Sequence, residues 1–122
     1  MNKNLILFGR AVLLLAVGFS GCQEKDSGYI QIASHNIRDN MHGFGSGKEV
    51  YGTVKNVADK NVDYAEVTVK FYDKDNELLI TKNQQVQYIG NGATKSFSVF
   101  YYNYEKYYDQ YDHYTVSVWS RE

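Results

Sequence analysis

The sequence predicts an all-β chain folded as an antiparallel sandwich of about six strands. Three observations carry that reading. Apolar and polar residues alternate with a period of two in several separate stretches. Turn-forming residues punctuate those stretches. The body of the chain has no long run with apolar residues at helical spacing. With 122 residues the chain has room for one domain.

The clearest strand spans residues 62–73, where Val67, Val69 and Phe71 alternate with Glu66, Thr68 and Lys70. Residues 48–56 repeat the pattern, with Val50, Gly52 and Val54 on one side and Tyr51, Thr53 and Lys55 on the other. A glycine inside a strand marks a bulge or a close backbone approach, and Gly52 is so placed. Asp73 to Glu77 reads as a turn, with Asn76 suited to a left-handed backbone. Leu78-Leu79-Ile80 opens the next strand, which runs on, bent, through Val86, Tyr88 and Ile89. Gly90-Asn91-Gly92 is a further turn. Phe97, Val99 and Tyr101 then share a face, as do Tyr114, Val116 and Val118 in the last strand. Tyr29 to Ser34 leads the domain as a short first strand. Gly43 to Lys48 is expected to be a flexible connection between that strand and the sandwich.

The first 21 residues read as an address. Lys3 and Arg10 supply positive charge ahead of the apolar stretch 11–19. Nine apolar residues suit the core of a signal peptide and fall short of the ~20 that span a bilayer. The stretch ends in Phe19-Ser20-Gly21-Cys22, and Cys22 is the only cysteine of the chain. Small residues followed by cysteine resemble a prokaryotic lipoprotein signal, with Phe19 where leucine is usual. The resemblance implies cleavage before Cys22 and lipidation of its thiol. Two acyl chains make a stable anchor where one is marginal. Residues 22–28 are polar and read as a tether. The chain is thus divided into a signal segment 1–21, a tether 22–28 and a sandwich domain 29–122.

Val50-Tyr51-Gly52-Thr53-Val54-Lys55-Asn56 resembles the V-x-G-x-V-x-N opening of FxLYD-type domains. Val69-Lys70-Phe71-Tyr72-Asp73 stands where that family carries F-x-L-Y-D, with Tyr72 and Asp73 matching. Gly90 to Phe97 is similar to the family's later P-G-E-x-x-x-F turn and strand, with Gly90 in place of proline. The resemblance covers residues 48–120. It implies an immunoglobulin-like β-sandwich of about six to seven strands, preceded by a signal-peptide helix, in a protein exported by a prokaryote. It implies no catalytic residues.

Composition narrows the chemistry. Thirteen Lys+Arg stand against 14 Asp+Glu, and residues 22–122 keep 11 and 14, a formal net charge of −3. Such a surface does not attract nucleic acid or anionic lipid. One cysteine excludes a disulfide framework and a multi-cysteine zinc site. Gly43 to Lys48 superficially resembles a phosphate loop, but His42 and Glu49 stand where that motif needs glycine and Ser/Thr. Asp73, Asp75 and Glu77 have the spacing of the first calcium-loop ligands. Leu78 and Gln84 then fail the required glycine and glutamate. His35, His42 and His113 are too scattered for a metal set, and Ser46 is one position off a nucleophile turn. No cofactor is expected.

The unusual feature is tyrosine. Twelve occur, and seven lie between residues 101 and 114. Tyr104, Tyr107, Tyr108 and Tyr111 sit in a polar connection, at a spacing that also fits one face of a short helical turn. Such a face would cap the open end of the sandwich or bind a partner protein or a cell-wall polysaccharide. As a cap, Tyr107 or Tyr111 is expected to be buried and Tyr108 exposed. These four are the candidate binding residues, and Cys22 is the candidate lipidation site. The expectation is a non-enzymatic, lipid-anchored module for binding or scaffolding at the cell surface. A small extracytoplasmic metal-dependent enzyme is the alternative; its support is the scattered Asp and His content, and loss of turnover on mutating Asp112 or His113 would favour it.

Overall fold

The structure is a computed structural model that describes residues 29–42 and 45–121, apart from the His42 side chain. The signal segment 1–21 and the whole tether 22–28, Cys22 included, lie outside the described residues. The chain folds into β1 (Ile30–His42), β2 (Gly45–Asn56), β3 (Val62–Tyr72), β4 (Leu78–Ile89), β5 (Thr94–Tyr102) and β6 (His113–Arg121). One turn of 3-10 helix, Tyr108–Gln110, interrupts the β5–β6 connection. The strands form two antiparallel sheets, ordered β1–β2–β5 and β4–β3–β6.

The sheets are held together by the alternation that predicted them. Val50 and Val54 of β2, Val67, Val69 and Phe71 of β3, Phe97, Val99 and Tyr101 of β5, and Tyr114, Val116 and Val118 of β6 form one buried core. The polar alternates Glu66, Thr68 and Lys70 of β3 and Thr115 and Ser117 of β6 are left outside this set, so a register slip of one residue in either strand would turn it to water. Phe71 packs at 4.9 Å from Tyr101 across the two sheets. Asn76 takes a left-handed backbone with φ 64° and closes the β3–β4 turn. The bend of β4 is at Tyr88, where φ is 56°. That kink changes the phase of the strand, so Val86 and Ile89 are both buried and Tyr88 faces solvent.

Two expectations are corrected. The first strand does not stop at Ser34 but continues to His42. It runs along the edge of its sheet, where Asn36, Arg38 and Asn40 tolerate the water they face. Of the expected flexible connection Gly43 to Lys48, residues 43 and 44 lie outside the described residues, while Gly45 to Lys48 open β2 and pair with Asp39 to His42, and Gly47 and Lys48 also with β5. Glycine is needed there for proximity. A Cβ at Gly47 would fall 2.3 Å from the Tyr101 carbonyl oxygen and 2.8 Å from the Phe100 ring. Gly52 meets the same constraint, since its Cβ would lie 2.0 Å from the Ser34 carbonyl oxygen. The β1–β2 ladder shifts register beside it, between Ile32 and Ser34. Gly52 thus answers a bulge in the strand next to it.

Candidate functional site

The two ends of the sandwich differ. At one end Ile30 pairs with Asn56, and Tyr64 with Arg121. At the other lie the β1–β2 hairpin, the β3–β4 turn and the tyrosine-rich connection. Asn103 N–H donates to the Ser46 carbonyl at 2.9 Å, and Asp112 N–H to the Tyr72 carbonyl at 2.8 Å. Those two bonds lay the connection across the mouth of the sandwich.

Its interior is set by Tyr101 and Glu105. The buried Tyr101 hydroxyl donates to the Lys106 carbonyl at 2.6 Å. Burial, then the Glu105 and Asp109 charges, push the phenol up to about 12. The Glu105 carboxylate accepts from Tyr102 N–H at 2.9 Å and from Lys82 Nζ at 2.7 Å. Tyr107 then adopts a left-handed backbone with φ 64°, which a non-glycine residue takes only where the surroundings enforce it. That reversal turns Tyr108 inward. Its ring stands edge-on to Tyr101 at 5.1 Å, while Tyr111 meets Phe71 at 5.9 Å. Lys48 Nζ lies 5.9 Å from the Tyr108 ring centre and 5.4 Å from that of Tyr111, with Asp39 Oδ1 at 2.8 Å. Burial raises the Tyr111 phenol well above its ordinary value.

The four tyrosines therefore do not share one helical face. Tyr108 and Tyr111 are partly buried and pack on the core. Tyr104 is 68% exposed and Tyr107 51%. Tyr104 stacks on Tyr102 at 5.2 Å and 17°, and Lys106 Nζ lies 5.6 Å from the Tyr107 ring. The packing of Tyr111 agrees with the expectation that Tyr107 or Tyr111 is buried, whereas the expectation of an exposed Tyr108 is corrected. A regular turn would have carried Tyr107 inward, and its left-handed backbone substitutes its neighbour. Met41, exposed on β1, lines a groove of about 580 Å³ at the same end with Tyr108, Lys48 and Asp39.

The remaining candidates are committed to structural bonds. Asp73 Oδ1 accepts from the backbone N–H of Asp75 at 2.8 Å and of Glu77 at 2.9 Å, which makes the triad a turn. His113 Nδ1 is 2.8 Å from Asp112 Oδ2, and its ring stacks on Tyr72 at 5.3 Å. His35 Nδ1 is hydrogen bonded to the Tyr114 hydroxyl at 2.7 Å, and burial lowers its pKa below the ordinary histidine value. Among the described residues, no three His, Cys, Asp or Glu side chains gather as a metal ion requires.

Two polar centres go beyond the sequence analysis, in which Asn56 stands only as the last residue of the V-x-G-x-V-x-N motif and Glu49 only as a mismatch to a phosphate loop. On the outer face of the β1–β2–β5 sheet, Glu49 accepts from Arg38 Nε at 2.8 Å, Asn40 Nδ2 at 2.9 Å and Ser98 Oγ at 2.7 Å. The Arg38 bond, then that of Ser98, hold the carboxyl at about 2. Asn56, buried at the opposite end, donates through Nδ2 to the carbonyls of Lys60, Ile89 and Gly90 at 2.7, 2.9 and 3.1 Å. Its Oδ1 accepts from Ala58 N–H at 2.8 Å.

These features define a two-sheet antiparallel β module, capped at one end by aromatic side chains and pinned at the other by a buried amide. No family model matches the chain. No curated protein matches it, and no solved structure does. Among the described residues, no helix is long and apolar enough to cross a membrane.

Proposed function

We propose that the protein is a lipid-anchored module of the outer side of a prokaryotic membrane, which binds or scaffolds a protein or polysaccharide through the tyrosine-lined end of its sandwich. The observation that carries this reading is the place of Cys22, directly after Gly21 at the close of the apolar stretch. The architecture supports it. β1 starts at Ile30, eight residues after Cys22, at the end opposite the tyrosines. Its 13 residues at ~3.3 Å each set the exposed Tyr104 and Tyr107 about 40 Å from the point where the tether enters.

The sandwich is of the immunoglobulin-like kind, and the chain is an FxLYD-type domain. The strand order supports this, since β1–β2–β5 and β4–β3–β6 match strands A–B–E and C′–C–F of that architecture. So do the motif residues, because Gly52 sits at an obligatory close approach and Asn56 pins the end of the sandwich.

The anchor is tested by Cys22→Ser in the native cell. The variant is expected to leave the membrane fraction or to retain its signal segment. Unchanged partitioning into the detergent phase would refute the anchor.

A further inference from the structure

We propose that the end of the sandwich where the tether enters is a lipid-docking surface, whose Trp119, Tyr88 and Val57 sit in the headgroup layer of the bilayer that holds Cys22. The inference rests on the lipid anchor proposed above.

Among the described residues, the exposed large apolar side chains collect at the two ends of the sandwich. Met41, Leu78, Tyr104 and Tyr107 lie at the tyrosine-rich end. Val57, Tyr88 and Trp119, 42%, 75% and 52% exposed, lie at the other. Val57 follows the last residue of β2, Tyr88 is next to last in β4, and Trp119 stands two residues before the end of β6. Tryptophan is highly buried on average, and this one is the only tryptophan of the chain. The φ of 56° at Tyr88 is a costly backbone for a bulky residue, and its result is a ring held in water.

The two ends suit different partners. At the tyrosine-rich end the exposed rings are joined by the exposed Asp75, Glu77, Asp109 and Asp112, and carboxylates are costly to carry into a lipid interface. The tether end mixes Lys55, Lys60, Lys95 and Arg121 with Asp59 and Asp63. Glu122 follows Arg121, so net charge contributes little there and the rings carry the contact. Arg121 is placed to help them. Its Cζ lies 4.7 Å from the centre of the Tyr64 ring, which meets Trp119 edge-on at 5.7 Å. A guanidinium stacked on a ring still offers its N–H edge to a phosphate.

Tryptophan and tyrosine favour the headgroup layer, where one part of the ring is apolar and another stays wet. The bilayer is also the partner that the tether keeps within reach. Eight residues separate Cys22 from Ile30, a span of at most ~29 Å. Over so short a linker the effective concentration is of order mM, so a face too weak to hold a free domain on lipid suffices for an anchored one. Trp119 is on the outer face of the β4–β3–β6 sheet, and the docked domain leans towards that face.

The test uses the anchored full-length protein in phosphatidylcholine vesicles, with Trp119 as its reporter. Flotation with the vesicles is read first, because protein that fails to float refutes the anchor and this inference with it. In floating protein, lipid brominated high on its acyl chains is expected to quench Trp119, and iodide in the water to lose access to it. Trp119→Phe with Tyr104→Trp moves the reporter to the tyrosine-rich end, where brominated lipid is expected to leave the emission unchanged. Val57→Ser with Tyr88→Asn, a residue at ease with positive φ, is expected to restore emission and iodide access at Trp119, with flotation and thermal midpoint retained. Floating protein whose Trp119 escapes the brominated lipid would overturn the proposal and leave the anchor standing. So would equal quenching of the two reporters, or quenching that survives the change at Val57 and Tyr88. Iodide protection that follows protein density and not lipid would assign the face to a second copy, and overturns the proposal as well.

Discussion

Replacing Asn56 by alanine should remove more stability than any single surface change. The side chain is 1% exposed and fully engaged. Its two N–H hydrogens serve three carbonyls, so one is shared, and its oxygen takes the Ala58 N–H. Those partners come from the β2–β3 connection, the end of β4 and the β4–β5 turn, so one amide ties three segments. Not all four bonds are lost at full cost. The Gly90 carbonyl keeps the Ala93 N–H at 2.9 Å, and the Lys60 carbonyl is within reach of water. The Ile89 carbonyl is buried. At ~1–3 kcal/mol for a buried group left unsatisfied and ~0.5–1.5 kcal/mol for an ordinary bond, the loss is about 3 kcal/mol. That is a large share of the ~5–15 kcal/mol that holds a domain together. It corresponds to a thermal midpoint lowered by ~12–24 °C at ~4–8 °C per kcal/mol.

Asn56→Asp sharpens the test. It keeps the oxygen that faces Ala58 and turns the donor into a second acceptor aimed at three carbonyls. It should therefore be at least as damaging as alanine at neutral pH, although it is closer in shape. Urea unfolding followed by tryptophan fluorescence and far-UV circular dichroism measures both. A loss below ~1 kcal/mol for alanine, or an aspartate variant more stable than the alanine one, would refute the assigned role.

The tyrosines should divide in pairs. Tyr108→Ser with Tyr111→Ser strips two rings from Tyr101 and Phe71 and should cost about 3 kcal/mol or more, read as a lowered thermal midpoint. Tyr104→Ser with Tyr107→Ser should move that midpoint by less than ~4 °C, and under the proposed function should abolish capture of a partner at the tyrosine-lined end. The pH dependence should carry the mark of Glu49. Its folded pKa of about 2 lies below the ordinary 4.5, so its contribution is present above pH 4.5 and is lost as pH falls towards 2. Glu49→Gln should flatten stability against pH in that window, and acid titrations of both proteins by circular dichroism would show an unchanged slope if the network were idle.

The core was legible because burial and alternation coincide. Val67, Val69 and Phe71 declare their face in the sequence, and the structure buries all three. The second half of β1 was not legible for the opposite reason. Ser-His-Asn-Ile-Arg-Asp-Asn has little strand propensity, and an edge strand with one wet face needs little. Its pairing is supplied by β2, across a bulge that only Gly52 hinted at. Composition alone misreads Gly47. Glycine marks mobility and crowding with the same letter, and the neighbour that decides between them is Tyr101, 54 residues away. The Glu49 cluster shares that obstacle, since its donors come from positions 38, 40 and 98.

The tyrosine segment shows how little must change for a residue type to change role. Four tyrosines within eight positions carry one chemistry, a ring that prefers burial and a hydroxyl that needs a partner. Which of them meets the core depends on one dihedral, the φ of 64° at Tyr107. That backbone is sustained from within, by Tyr101 donating to the carbonyl of Lys106 and by Glu105 locked between Tyr102 and Lys82. The buried half of the cluster thus fixes the posture of the exposed half. Tyr104 and Tyr107 are held out on a scaffold whose ordering cost is met by folding, and aromatic rings presented that way bind with less entropy to lose. A binding end and a cap are therefore compatible readings of the same ten residues. Phe71, which packs on both Tyr101 and Tyr111, is where the core and that end are joined.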